Sequence, residues 1–295
     1  MAREPIVTRE IAPLPERADD AHKGEVGRIV IVGGCCDETV AMIGAPALAA
    51  SAAFRAGAGL VQLMVPEALR PAMGVLAPCA TLRTLPTRSS DIVAAAEAFG
   101  ADVLAIGPGL GRSLSALCIA EVLSGFAGPK VVDADALNLL AEAGAVAIAE
   151  PSRTVLTPHP GEAQRLLQAR GANGAIGRDA RARRAMACAV VEAYGCVVVL
   201  KGRGTVVTDG QRLYINETGN AGLATGGTGD VLTGVIAALM GQRLPAVEAA
   251  ILGVYLHGLA GDFAAEELGR WSMTATDLVE YLPEAFGEHQ VGAAE

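Results

Sequence analysis

The chain has 295 residues, 52% of them hydrophobic but only 3% aromatic, with 32 acidic against 23 basic side chains and a formal charge of −9. This length suits one large α/β unit with a core of Ala, Val, Leu and Ile, and the acidic balance argues against nucleic acid and anionic membrane surfaces as partners, since it repels their phosphates at long range. An anionic nucleotide remains admissible, because backbone amides and a single lysine inside a cleft outweigh net charge locally.

Residues 1–22 mix acids with prolines and carry neither an apolar signal core nor the acid-free pattern of a transit peptide, so they read as a flexible arm on a cytoplasmic protein. One domain is expected over 23–286, followed by a short tail over 287–295. The spacing then predicts strands at Arg28–Val32, Leu60–Val65, Val103–Ile106, Val131–Val132, Thr154–Leu156 and Val197–Leu200. Each is a short apolar run closed by Gly, Pro, Asp, Thr or Lys, as expected of parallel strands buried on both faces. Helices are expected between them at Pro46–Ala56, Ile92–Phe99, Leu114–Leu123, Glu162–Gln168 and Asp179–Tyr194. Thr205–Thr208 and Arg212–Ile215, separated by Asp209-Gly210-Gln211, read as a hairpin that ends the sheet in antiparallel strands. The remainder turns helical at Val231–Met240, Ala246–Leu268 and Asp277–Tyr281. The alternation implies an α/β fold, a central mostly parallel sheet flanked by helices in three layers. The stretch Val40–Phe54 is too short and too interrupted to span a bilayer.

In such sheets ligands bind beyond the carboxyl ends of the strands. That rule selects Gly33-Gly34, Gly107-Pro108-Gly109, Asp133-Ala134-Asp135, Thr157-Pro158-His159 and Lys201-Gly202 as one rim. The six cysteines form no CxxC pair and read as reduced thiols; the vicinal Cys35 and Cys36 leave a redox or metal role open.

The most informative segment is Gly219 to Asp230, GNAGLATGGTGD, which runs straight into the apolar helix at Val231. Without Cβ atoms its glycines let a phosphate approach the amides of Gly226, Gly227, Thr228 and Gly229 at the positive end of that helix, an anion hole for a transferring phosphoryl group. Asp230 stands beside it as candidate base. Lys201-Gly202-Arg203-Gly204-Thr205, at the end of a buried strand, suits a nucleotide loop. The bland alternatives are a plain flexible turn with a first-turn helix acid for the glycine-rich run and Asp230, and an ordinary strand end for Lys201–Thr205.

The glycine-rich run resembles the signature of ribokinase-like kinases, which implies a ribokinase-like fold with Asp230 as the base toward an acceptor hydroxyl. Within that superfamily Thr157-Pro158-His159-Pro160-Gly161-Glu162 places His where vitamin and sugar kinases carry Asn. It is similar instead to the NAD(P)H-hydrate dehydratase branch, as are Gly107–Gly111, Val132–Asn138, Tyr255–Gly258, Gly44–Pro46, Arg55–Val61 and Thr274–Leu278. The resemblance implies substrate contacts at Ala45, Gly109, His159 and Asp230. It implies nucleotide contacts at Lys201, Gly202, Arg203, Gly204, Thr205 and Gly229. Mg²⁺ is expected as cofactor on Glu162, with Asp133 or Asp135 as alternatives, and ADP or ATP as co-substrate. His257 and Asp262 are expected to be structural.

The implied reaction is dehydration of the S hydrates of NADH and NADPH, coupled to ADP or ATP hydrolysis. A stable phosphate-ester product, as from a vitamin-precursor or sugar kinase, is the alternative, and a catalytically inactive nucleotide sensor the reading from another class. The epimerase domain often fused to bacterial members is not found, so a separate epimerase is the expected pathway partner. A homo-oligomer, with a tetramer as one option, is also expected.

Overall fold

Val, Ile and Leu runs dominate the strands, and the computed structural model, which describes residues 4–172 and 179–292, builds one ten-stranded sheet from them. The strands are β1 (Ile6–Thr8), β2 (Arg28–Val32), β5 (Leu60–Val65), β6 (Thr81–Thr84), β7 (Val103–Ile106), β8 (Lys130–Val132), β9 (Thr154–Leu156), β10 (Val197–Leu200), β11 (Val206–Thr208) and β12 (Arg212–Ile215). Two further strands, β3 (Cys35–Cys36) and β4 (Ala41–Met42), form a separate antiparallel ribbon. The order across the sheet is β1-β12-β11-β10-β9-β8-β7-β2-β5-β6. It is parallel from β6 to β10, and β11 and β12 follow as the expected antiparallel pair.

Strand side chains alternate between two cores. Ile29, Ile31, Leu63, Val103 and Val131 face one helical layer, whereas Val30, Val32, Leu104, Ile106 and Val132 face the other. The first layer holds α1 (Gly44–Arg55), α2 (Arg70–Leu76), α8 (Thr228–Gly241), α9 (Ala246–Leu268) and α10 (Ala275–Gly292). The second holds α3 (Ser89–Phe99), α4 (Ala116–Gly125), α5 (Ala134–Ala143), α6 (Pro160–Ala169) and α7 (Ala180–Tyr194). The three-layer, ribokinase-like fold expected from the sequence is therefore present. The scarcity of aromatic rings is offset by close approach: in α1 the buried face is Ala47, Ala49, Ala50, Ala52 and Ala53, and α8 lies directly against it.

Several elements differ from the sequence reading. The residues expected to form a flexible arm instead supply β1, which pairs parallel to β12, and Ile11 and Leu14 pack against the core. An edge strand needs only three residues in register and leaves little trace in an acid- and proline-rich segment. The expected tail is likewise helical through Gly292, and His289 Nε2 donates to the Ala12 carbonyl at 3.0 Å. Helices α2 and α5 and strand β6 were not anticipated. α5 starts inside the Asp133–Asp135 motif that reads as a rim loop, and β6, TLRT, lacks the apolar run of a central strand because it is the edge.

Candidate active site

The residues that follow the strands close into one continuous rim. Gly34 N–H donates to the Pro108 carbonyl at 2.9 Å, Asp133 N–H to Ile106, Thr157 N–H to Val132, and Lys201 N–H to Pro158 at 2.9 Å. Gly109 sits at φ +58°, and a Cβ there would come within 2.9 Å of the Ala45 side chain and 3.1 Å of Met42. The two small residues expected to touch substrate are thus side by side, with the β3–β4 ribbon beside them.

At the centre of the rim Asp133 is almost fully buried, and its carboxylate turns inward instead of capping α5. Its Oδ1 accepts from Lys201 Nζ at 2.6 Å and Thr157 Oγ1 at 2.7 Å; its Oδ2 accepts from Thr233 Oγ1 at 2.9 Å. Lys201 Nζ also lies 4.0 Å from Glu162 Oε2 and would stand 3.5 Å from a Cβ on Gly229. Burial works against the Lys201 ammonium, yet Asp133, Glu162 and Asp230 together raise its pKa above the ordinary lysine value. It is a fixed positive charge beside the glycine-rich loop. The expected nucleotide loop has this side chain folded inward; Arg203 is exposed, and Arg183 Nη2 holds the loop carbonyls of Leu200, Lys201 and Gly204 at 3.2, 3.3 and 3.4 Å.

The glycine-rich segment is held from outside. Asp262 accepts from Gly219 N–H at 2.7 Å and from Asn220 Nδ2 at 2.9 Å, and Asn220 Oδ1 accepts from Gly222 N–H. Gly227, at φ +95°, turns the chain into α8. The first helical bond is Val231 N–H to the Gly227 carbonyl, so helix geometry leaves the amides of Thr228, Gly229 and Asp230 directed outward. The expected set at Gly226–Gly229 therefore shifts along the chain: Gly226 contributes open space, with nothing within 4 Å of a Cβ built on it. The Thr228 hydroxyl is turned away, donating to Leu223 and Thr225 carbonyls. His257 Nε2 donates to the Thr228 carbonyl at 2.8 Å, and burial drives its pKa down to about 4, which makes it a neutral brace. His257 and Asp262 thus hold the loop in place.

Asp230 lies in the first turn of α8. Burial and the charge of Asp133 push its pKa up to about 7 against the opposing pull of Lys201. A carboxylate that exchanges its proton near neutrality suits general-base work, and it stands where the amides of α8 converge.

His159 and Glu162 form a reciprocal cap on α6. His159 Nδ1 accepts from Gly161 N–H at 3.0 Å and Glu162 Oε2 accepts from His159 N–H at 2.7 Å. This fixes the His159 tautomer with the proton on Nε2, 3.4 Å from Glu162 Oε1. Burial, with Lys201 and Arg165, lowers the His159 pKa, so the ring is neutral at pH 7. The Mg²⁺ expectation for Glu162 meets a carboxylate whose Oε2 already accepts from the His159 N–H and lies 4.0 Å from Lys201 Nζ. Asp133 is likewise saturated, and Asp135 Oδ2 accepts from Gly111 N–H at 2.8 Å. Among the described residues no three His, Cys, Asp or Glu side chains converge to hold a metal. The described residues do not form a protein-built Mg²⁺ cage.

Thr233 and Arg183 were not singled out from the sequence, and Thr157 was named there only as part of the rim and of the Thr157–Glu162 motif. Thr233 had a readable signal, since i, i+3 spacing from Asp230 puts it on the same helical face. Cys35 is buried against Gly111, and Cys36 is exposed on the ribbon.

A family model described as NAD(P)H-hydrate dehydratase matches residues 29–284. The chain belongs to the NAD(P)H-hydrate dehydratase family. Among family members, the ADP-dependent (S)-NAD(P)H-hydrate dehydratase of Neisseria meningitidis is 39% identical over 86% of this chain and 82% of its own. The bifunctional NAD(P)H-hydrate repair enzyme of Moorella thermoacetica is 42% identical over 92% of this chain but 51% of its own, so the chain spans about half the length of such relatives. The ADP/ATP-dependent NAD(P)H-hydrate dehydratase of Bacillus subtilis, co-crystallized with ATP/Mg²⁺, superimposes with a TM-score of 0.76 at 30% identity, covering 94% of this chain and 95% of that one.

Proposed function

We propose that this chain dehydrates the S epimers of hydrated NADH and NADPH at the expense of ADP or ATP, as a cytoplasmic nicotinamide-repair enzyme. The observation that carries the reading is the meeting, at one point of the rim, of Asp230, the outward amides of α8 and the Lys201 ammonium. The family membership and the His-containing Thr157–Glu162 motif favour a hydrate over the alternative vitamin or sugar acceptor.

Hydroxide is a poor leaving group, and a phosphate ester is a better one. Asp230 takes the proton from the hydrate hydroxyl as its oxygen bonds to the terminal phosphorus of the nucleotide. The bridging P–O bond breaks and AMP or ADP leaves. The α8 amides and Lys201 stabilise the negative charge spread over the phosphoryl oxygens. The ring nitrogen then donates its lone pair to expel phosphate, and loss of the adjacent C–H proton restores the double bond of the dihydronicotinamide. Ala45 and Gly109 leave room for the substrate to lie against the backbone, and the neutral His159 offers an Nε2–H to it. Lys201–Thr205 hold the nucleotide, and any Mg²⁺ would come with its phosphates and would offset their charge, since this ion needs few protein carboxylates. Hydrates of the opposite epimer require a separate epimerase activity.

Incubating the chain with NADH hydrate, Mg²⁺ and ADP or ATP should restore the reduced-nicotinamide absorbance with one phosphate released per turnover. An epimer mixture should stop at partial conversion. A stable phosphate ester with no absorbance gain would establish the kinase alternative instead.

A further inference from the structure

The rim accounts for the reacting ring and the nucleotide but not for the far half of a dinucleotide. Gly111 and Asp135, at the end of the rim, also line a cleft of about 490 Å³ between α5 and α6, together with Asn138, Glu142, Arg165 and Gln168. That volume falls within the roughly 300–1,000 Å³ of small-molecule clefts.

Two arginines reach this cleft, and they differ. Arg112 is bound on both arms by Glu142, at 2.5 and 2.7 Å, so its charge is spent. Arg165 gives only its Nε, to Asn138 Oδ1 at 2.8 Å, and among the described residues no carboxylate pairs with it. That single tie orients the guanidinium and leaves its two terminal amino groups for a ligand, the fork that grips a phosphate on two oxygens. The side chain leans back toward the α6 N-terminus, with Nη1 3.8 Å from a Cβ built on Gly161, beside His159. Asn138 closes the Val132–Asn138 motif and Arg165 lies three residues after Glu162, yet the chemistry above uses neither.

We infer that the α5–α6 cleft binds the adenosine half of the hydrated dinucleotide, with Arg165, oriented by Asn138, as the residue that grips one of its phosphates. This inference rests on the dehydratase reading.

The test combines calorimetric titration of wild type, Arg165→Gln, Arg165→Lys and Gln168→Trp with NADH, NADPH and ADP, and steady-state kinetics on both hydrates. Arg165→Gln should raise the dissociation constant for the reduced dinucleotides, and KM for the hydrates, by about ten-fold or more, the usual scale for losing a charge-assisted hydrogen bond. Its kcat and ADP affinity should stay near wild type, and Arg165→Lys should recover part of the loss. Gln168→Trp, which fills the cleft from its exposed wall, should show the same KM defect. A loss shared by NADH and NADPH assigns Arg165 to the pyrophosphate, and a loss confined to NADPH assigns it to the 2′-phosphate; both uphold the inference. Wild-type turnover with unchanged dinucleotide binding in Arg165→Gln and Gln168→Trp overturns it and leaves the dehydratase reading intact. Equal weakening of ADP binding also overturns it. Failure of the wild type to turn over either hydrate removes the dehydratase reading and this inference together.

Discussion

Lys201 Nζ rests 2.6 Å from Asp133 Oδ1 across the rim between β8 and β10, joining the proposed nucleotide loop to the α5 entrance. The same ammonium pulls the Asp230 pKa down, opposing burial and Asp133. Lys201→Met should therefore shift the acid limb of the kcat/KM profile to higher pH as Asp230 holds its proton more tightly. It should also cost about 3 kcal/mol in urea melts, the scale for stripping one partner from a buried pair. Adding Asp133→Asn should restore much of that stability but not the activity. An acid limb that stays in place in Lys201→Met would show that the two charges are not coupled.

Asp230→Asn should lower kcat by about 10²–10⁴-fold, the usual contribution of a general base, while ADP still binds through the α8 amides. Because the folded-state pKa of Asp230 is raised from 3.8 to about 7, the folded state holds this carboxylate's proton more tightly than the unfolded state does. Ionising it therefore costs stability increasingly as pH rises from about 4 to 7. The Asn variant should melt at a higher temperature than wild type at pH 8, and the gap should shrink as pH falls toward 4. A variant less stable than wild type at pH 8 would contradict the buried-carboxylate assignment.

Gly226 and Gly227 are adjacent but not equivalent. A Cβ on Gly227, at φ +95°, would stand 2.6 Å from Leu48 Cδ1 and 2.8 Å from the Ala275 Cβ, whereas one on Gly226 meets nothing within 4 Å. Gly227→Ala should lose about 1–3 kcal/mol of stability together with nucleotide binding. Gly226→Ala should melt within about 0.5 kcal/mol of wild type. Its KM for nucleotide then reports directly on how closely phosphate approaches that backbone.

His257 is held neutral, with a pKa of about 4 against an ordinary 6.5. A depressed folded-state pKa gives stability that is complete above pH 6.5 and is lost as pH falls toward 4. Thermal melts across that window should fall more steeply for wild type than for His257→Leu, which has no proton to take up. At pH 8 the variant should be the weaker protein by about 1 kcal/mol, having lost the bond to Thr228.

The order of apolar runs was enough to place the strands of the parallel sheet, because a strand buried on both faces must be an unbroken Val, Ile and Leu segment, and β2, β5, β7, β9 and β10 have the expected bounds. The rim was legible for a related reason: Gly, Pro, Asp and Thr gather where such strands end. Gly219–Asp230 announced an amide-lined helix start through local backbone chemistry alone. What the sequence left open depends on partners distant along the chain. Asp133 stands in the sequence as a rim residue and an alternative metal ligand, but its carboxylate is drawn inward by Lys201, Thr157 and Thr233, three groups brought together by β9, β10 and α8. Glu162 reads in the sequence as a metal ligand, and only packing shows one of its oxygens capping α6 beside Lys201 and the other 3.4 Å from His159 Nε2. β1 acquires strand geometry only from the exposed edge of β12. Periodicity and turn chemistry are local and were written in the sequence; the allocation of each buried charge to its partners is a property of the folded chain.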